Sequence, residues 1–430
     1  MHRQGSVEGL QAVFCEKLGI PYEKEDTTGS SDALGNQAFT SWTAIIGEYY
    51  PQVKDLEKCL DLLFDFNHKF GEIISQWLSF KEKAGFFDYN DILIEAYESD
   101  IQIDAKIGFF DEFQDFNRLE FEVSKKIMQG LEKVYVAGDD DQAVYGWKGA
   151  KPDFFLDLEG EEIILSKTYR LPLEIWNFAQ KIISRVKRRR EKTIHTTNRA
   201  GIVKYLPPMH LEQLTLLSAQ FSLKYPDLTV YLLLRTNRMV YQAESILLEN
   251  AIPFKRLKGR SLWDKELIMT WNITAKLRQG KELNADELEF LIQNANPNIL
   301  PEESKDQLLK AVKSGNIPIE LFEILRNFSI TDLIKVRKKK IKELLKRAYN
   351  PLDFGRINLY VDTIHASKGK EADIVILADA ITHTIESAIN NGLKDAELRV
   401  FYVGSTRARR MLLIAPLFGF KPFLQREVAI

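Results

Sequence analysis

The residues of this 430-residue chain best suited to chemistry are carboxylates that follow short apolar runs. Ile107–Phe110 leads straight into Asp111-Glu112-Phe113-Gln114-Asp115. Cleaving a phosphoanhydride with water needs a hard cation and a group that orients or deprotonates the water. A carboxylate at a strand end, here Asp111, can hold Mg²⁺ directly or through its waters, because Mg²⁺ prefers oxygen ligands and keeps part of its hydration shell. Glu112 beside it can face the attacking water. Alone, the cluster reads first as a solvated strand end or a helix N-cap.

A second acidic stretch ends the next apolar run: Gly138-Asp139-Asp140-Asp141-Gln142-Ala143-Val144-Tyr145-Gly146-Trp147-Lys148-Gly149-Ala150. Its glycines permit tight turns and close backbone approach. Gln142 can sense a phosphate oxygen. Tyr145 and Trp147 offer faces for nucleobases, worth about 1–3 kcal/mol per stacked base. They read as core residues otherwise, although a loop this rich in Gly and Asp argues against burying both. Three further segments carry cations or a histidine: Ser166-Lys167-Thr168-Tyr169-Arg170-Leu171, Thr363-Ile364-His365-Ala366-Ser367-Lys368-Gly369-Lys370-Glu371-Ala372-Asp373, and Arg399-Val400-Phe401-Tyr402-Val403-Gly404-Ser405-Thr406-Arg407-Ala408-Arg409. Singly, an arginine in such a place is a surface charge.

Positioning these groups falls to alternating strands and helices. Residues 1–100 read mainly as helices, with Leu56, Leu60, Leu63 and Phe64, then Ile73, Ile74, Trp77 and Leu78, at helical spacing. Residues 27–36 read as a loop. Residues 107–110, 134–137 and 163–165 read as strands, with a helix over 119–130 between the first two. Residues 230–234, 359–362, 374–378 and 411–415 supply a second set of strands, and residues 262–350 turn helical and charged. Such alternation predicts parallel α/β sheets with their chemistry at the carboxyl ends of the strands, where the acidic clusters fall.

Composition sets the frame. Hydrophobic residues make up 45% and charged residues 28%, ordinary for a globular protein. The net charge of −2 announces no nucleic-acid binder, so contact with phosphates must come from local patches. The basic runs 185–190 and 335–340 could each contact phosphates, but both read first as solvated helix faces. Cys15 and Cys59 show no metal-ligand spacing, and no apolar stretch reaches membrane-spanning length. The expected setting is a reducing cytoplasm, without a membrane partner.

In their order and spacing, DEFQD, GDDDQAVYGWKGA, TYR, TIHASKGKEAD and FYVGSTRA resemble motifs II to VI of the UvrD/Rep/PcrA-like superfamily 1 DNA helicases. The resemblance implies an α/β fold of two RecA-like P-loop NTPase domains, the first incomplete, with mainly helical insertions. These would be residues 1–165, with an insertion at about 20–95, and 166–430, with an insertion at about 262–350. It implies an ATP-dependent helicase that moves 3′ to 5′ on single-stranded DNA and opens single-strand/duplex junctions, with ATP and Mg²⁺ as cofactors. Asp111 would then serve Mg²⁺ and Glu112 would be the catalytic base. Gln142 and Arg170 would contact the γ-phosphate, Tyr169 would pack on adenine, Glu371 would hold the sugar, and Arg407 would be the arginine finger. Tyr145, Trp147, Lys148, Thr363 and His365 would meet DNA.

One part of the pattern is absent. No Gly-Lys-Ser/Thr triplet occurs, and the two Gly-Lys pairs, at Gly280 and Gly369, are each followed by Glu. The expectation is an N-terminally truncated motor, whose first sheet is completed by an upstream polypeptide carrying the P-loop. Residues 1–165 alone would then be poorly stable. The competing expectation is a helicase-like protein that binds DNA or a partner without hydrolysing ATP.

Overall fold

A computed structural model describes residues 7–22, 33–100, 103–197, 199–258, 263–315, 339–348 and 350–428. The chain divides into two units. The first comprises residues 1–214, 230–241 and 362–430; the second comprises 215–229 and 242–361.

The first unit opens with helices Val7–Leu18, Leu34–Val53, Leu56–Phe66, His68–Ala84 and Tyr89–Glu98. Their borders follow from short polar residues. The Asp55 carboxylate accepts from the amides of Glu57 and Lys58, and the Asn67 carbonyl accepts from those of Lys69 and Phe70. Gly85 closes the fourth helix in the left-handed region, and Asp88 with Asp91 forms a capping box on the fifth. The apolar faces meet around Phe14, Trp42, Ile46, Leu63, Ile74 and Trp77. Inside this body the Lys81 ammonium is buried against Asp88 at 2.8 Å and Asp91 at 2.7 Å, and the Trp77 indole N–H donates to Asp88 at 3.2 Å. Burial is the largest single influence and would raise the Asp88 carboxyl, but the Lys81 charge together with hydrogen bonds from Lys81, the Asp91 amide and Trp77 outweighs it and holds the group below the usual carboxylate range.

Strands β1 (Ile107–Phe110) and β2 (Lys133–Val136) pair in parallel, and helix Arg118–Gln129 connects them. Asn117 and Glu120 cap that helix reciprocally. Phe109 and Tyr135 stack at 5.0 Å and stand 78% and 52% exposed, so one face of this pair is open and apolar. Residues 163–165 are not the expected strand. They pair with nothing among the described residues, and Ile163 and Leu165 are exposed. A three-residue apolar run carries no period that separates a strand from a loop. The strand begins just after it, as β3 (Lys167–Pro172), which pairs with β4 (His195–Thr197).

The remaining strands are β5 (Ile202–Tyr205), β6 (Val230–Leu234), β7 (Leu359–Thr363), β8 (Ala372–Asp379) and β9 (Ala408–Pro416). Within the first unit four of them lie in the order β5-β9-β8-β6, all parallel. β6 and β8 are buried at every position, as expected of parallel strands covered on both faces, whose sequences run apolar without alternation. The architecture is the expected mixed α/β type with parallel sheets.

In the second unit the elements described between 263 and 348 are helices: Lys265–Arg278, Ala285–Gln293, Glu302–Lys313 and Lys339–Leu345. Leu288, Ile292, Leu300, Leu308 and Val312 form a small core there. Trp271 donates to the Asn350 carbonyl at 2.7 Å. Residues 335–338 of the second basic run, and 27–32 of the expected early loop, lie outside the described residues. No helix among the described residues is long and apolar enough to cross a membrane.

Candidate active site

The carboxyl ends of β1 and β2 are laced together by the main chain. Ala137 N donates to Phe110 O at 2.7 Å, and Phe113 N donates to Ala137 O at 3.1 Å. Asp111 accepts from the Glu112 amide at 2.8 Å. Glu112 holds φ +52°, ψ +36°, the left-handed region that non-glycine residues occupy only under constraint. The constraint is visible. The buried Gln114 amide donates to the Glu112 carboxylate at 2.5 Å, and its carbonyl accepts from Asp139 N at 2.9 Å. Gln114 thus ties the two acidic loops to each other. Gly138 allows this, since a Cβ there would lie 2.6 Å from Gln114 Oε1. Lys368 adds an ion pair to Asp115 and stands 3.3 Å from Glu112.

Past β2, residues Asp140–Gln142 form a 3₁₀ turn capped by Asp139. The Gln142 amide donates to Asp139 at 2.7 Å, and its carbonyl accepts from Arg407 at 3.1 Å. Arg407 follows helix Lys394–Ser405 and is almost wholly buried. It also donates to the carbonyls of Val403 at 2.9 Å and Lys370 at 3.3 Å. Burial, reinforced by the like charge of Arg170, pushes this guanidinium down to about 9. A group that is costly to keep charged where it stands would gain from an added anion.

The β3 residues complete one wall. Arg170 donates to Glu371 at 2.9 Å and to Thr406 O at 3.3 Å, and Arg409 donates to Glu371 at 3.1 Å. Tyr169 is 74% exposed, with the Lys167 ammonium 4.9 Å from its ring centre. Gln142, Tyr169, Arg170, Glu371 and Arg407 therefore line one cleft of about 670 Å³. Its lining holds six cationic side chains, the others being Lys167, Lys192, Arg199 and Arg409, against two carboxylates, Asp139 and Glu371. That balance suits a polyanion with an aromatic face at its edge. Asp111 and Glu112 are not among the lining residues; both are solvent-exposed. No group of three or more His, Cys, Asp or Glu among the described residues could hold a metal ion. Asp111 alone fits a cation that takes its other ligands from phosphate and water.

The residues expected to meet DNA fall into two sets. Tyr145 and Trp147 are half-buried, their rings 6.3 Å apart and edge to face, with the ammonium groups of Lys148 and Lys368 each 5.2 Å from the Tyr145 ring. The Trp147 indole N–H has no partner among the described residues. Thr363 and His365, in contrast, are buried, and the Thr363 hydroxyl accepts from Ala366 N at 3.2 Å. A strand reaches them only after covering groups move.

The first basic run corrects its expectation. The preceding helix ends at Ile183, and residues 185–192 form an irregular segment, not a helix face, in which most cations are ion-paired although Arg185, Lys187 and Arg188 stay exposed. Arg188 pairs with Asp153 and Asp157, Arg189 with Asp141, Arg190 with Glu162, and Lys192 with Asp139, Asp140 and Asp141. The sequence had one signal for this: three consecutive Asp in the loop at 139–141 need counter-charges wherever they are buried. Gln114, Lys368 and Arg399 give no such signal. Nothing in their local sequence marks contacts that span up to 259 positions.

A model of the UvrD/REP helicase N-terminal domain matches residues 30–162, and a model of the UvrD-like helicase C-terminal domain matches residues 271–417. The chain is 24% identical over 407 residues to a probable DNA helicase II homolog of Mycoplasma capricolum, which covers 74% of this chain and 56% of that protein. It is 24% identical over 394 residues to the corresponding Mycoplasma pneumoniae protein, covering 72% and 53%. With DNA helicase II of Haemophilus influenzae the identity is 27% over 208 residues, covering 44% and 28%. The chain thus spans about half the length of the first two relatives.

Proposed function

The chain belongs to the UvrD/Rep family of helicases, and from that premise we propose that it is a DNA helicase motor element that uses ATP and Mg²⁺. The observation that carries this reading is the cleft. Five residues from segments as distant as 142 and 407 converge on it, and its cations exceed its carboxylates. Bound ATP supplies a phosphoanhydride whose cleavage releases the γ-phosphate. Arg170 and Arg407 bind and orient the terminal phosphate, and Gln142 senses it beside Arg407. Tyr169 offers its face to the base, and Glu371 holds the sugar. Asp111 would hold Mg²⁺, which when bound would offset the charge of the phosphates, and Glu112 would take the proton of the attacking water. Loss of the terminal phosphate removes a shared partner from Arg170, Arg407 and Gln142 together, which is how such sites drive a mechanical switch. Tyr145 and Trp147 lie a few residues beyond Gln142 on the same loop, so that switch is felt where single-stranded DNA stacks. Thr363, His365 and Lys148 complete the DNA contacts on the opened form, and movement runs 3′ to 5′ toward a duplex junction.

The grip of a P-loop on the β- and γ-phosphates is not supplied by any Gly-Lys-Ser/Thr triplet here. We therefore assign hydrolysis to this chain working with a polypeptide segment that carries one, in cis or in trans. The same observation favours a second reading, a helicase-like protein that binds DNA without hydrolysis. DNA-stimulated ATP hydrolysis, measured with and without an added P-loop segment, separates the two. Turnover that Glu112→Gln abolishes supports the motor. Tight DNA binding with no turnover in either condition supports the binding protein.

A further inference from the structure

Three consecutive carboxylates, Asp139, Asp140 and Asp141, share one short turn, and the last two are fully buried. Like charges at that spacing repel unless cations are built in beside them. Lys192 stands 2.7 Å from Asp139, 2.5 Å from Asp140 and 3.1 Å from Asp141, with its side chain only 16% exposed. Arg189 forks onto both oxygens of Asp141 at 2.9 and 2.7 Å. The main chain is tied as well. Arg190 N donates to the Asp140 carboxylate at 2.9 Å, while Arg399 donates to Asp140 O at 2.8 Å and to Arg188 O at 2.9 Å.

A line of bonds leads from this clasp into the cleft. Lys192 holds one oxygen of Asp139; the other accepts from the Gln142 amide nitrogen at 2.7 Å. An amide whose nitrogen is fixed has its carbonyl fixed on the opposite side, and there it accepts from Arg407 at 3.1 Å. We propose that Lys192, supported by Arg189, is a positioning residue that sets the Gln142 amide and, through it, the Arg407 guanidinium. The consequence for turnover rests on the nucleotide reading above; the clasp itself rests on these contacts alone. Without the Lys192 ammonium the three carboxylates repel, the turn opens, and Asp139 no longer fixes the Gln142 nitrogen.

The test is hydrogen–deuterium exchange on the full chain without nucleotide, for wild type, Lys192→Ala and Lys192→Arg. Lys192→Ala is expected to speed exchange of amides 140–145 by about tenfold or more, leave β8 unchanged, and be reversed by Lys192→Arg. Unchanged exchange in 140–145, a rise that extends to β8, or no recovery in Lys192→Arg would overturn the proposal. If the chain turns over ATP, Lys192→Ala should lower kcat with KM little changed. A raised KM with unchanged kcat would make Lys192 a direct phosphate contact instead, and would also overturn it. Absence of turnover in wild type even with the P-loop segment added counts against the motor reading only, and the exchange result then decides the clasp by itself.

Discussion

At the residue scale, the acidic loops are held by a side chain whose own type is unremarked in sequence. Gln114 presents its amide to Glu112 and its carbonyl to Asp139 N, so one buried group fixes both the candidate base and the turn that carries Gln142. Gly138 leaves the space for it. A methyl group at that position would come within 2.6 Å of Gln114 Oε1, and the glutamine, anchored at both ends, has nowhere to go. Gly138→Ala is expected to destabilise the protein by about 1–3 kcal/mol, the usual cost of overpacking. Thermal denaturation checks this. A melting midpoint equal to wild type would mean that Gln114 is free to shift and does not couple the loops.

At the scale of elements, the helical body before β1 is pinned by a buried ion pair. Asp88 has its carboxyl held below the usual range in the folded protein by Lys81. A group depressed on folding contributes stability that is present above its unfolded pKa, about 3.9, and lost as pH falls through its folded value. The thermal midpoint of wild type should therefore fall on acidification below about pH 4. Asp88→Asn should start lower at neutral pH and fall less over the same window, whereas a parallel fall in both proteins would remove Asp88 from the account. The elements also differ in how well sequence revealed them. β6 and β8 were legible because burial on both faces makes them continuous apolar runs, and β1 because its run stops at Asp111. β3 was not, because Lys167, Tyr169 and Arg170 project from it toward the cleft and erase the apolar signal that marks a strand. β4 and β5 are three and four residues long, too short for a period to register. The cleft residues were legible only as an ordered set of motifs. The partners that orient them, Gln114 and Lys192, were hidden because they act across the fold.

At the scale of the molecule, a net charge of −2 coexists with a cleft rich in cations. On the proposed reading, attraction for phosphates is local and concentrated where Gln142, Arg170 and Arg407 converge. That convergence makes the terminal phosphate the group the chain should detect, more than base or sugar. The most direct measurement is the equilibrium affinity of the full chain for a fluorescent, non-hydrolysable ATP analogue compared with its diphosphate counterpart, in wild type and Arg407→Ala. The account predicts that wild type binds the triphosphate at least about tenfold more tightly, a difference of about 1.4 kcal/mol, and that Arg407→Ala loses most of this preference. Equal affinity for the two nucleotides in wild type, or a preference untouched by Arg407→Ala, would contradict it.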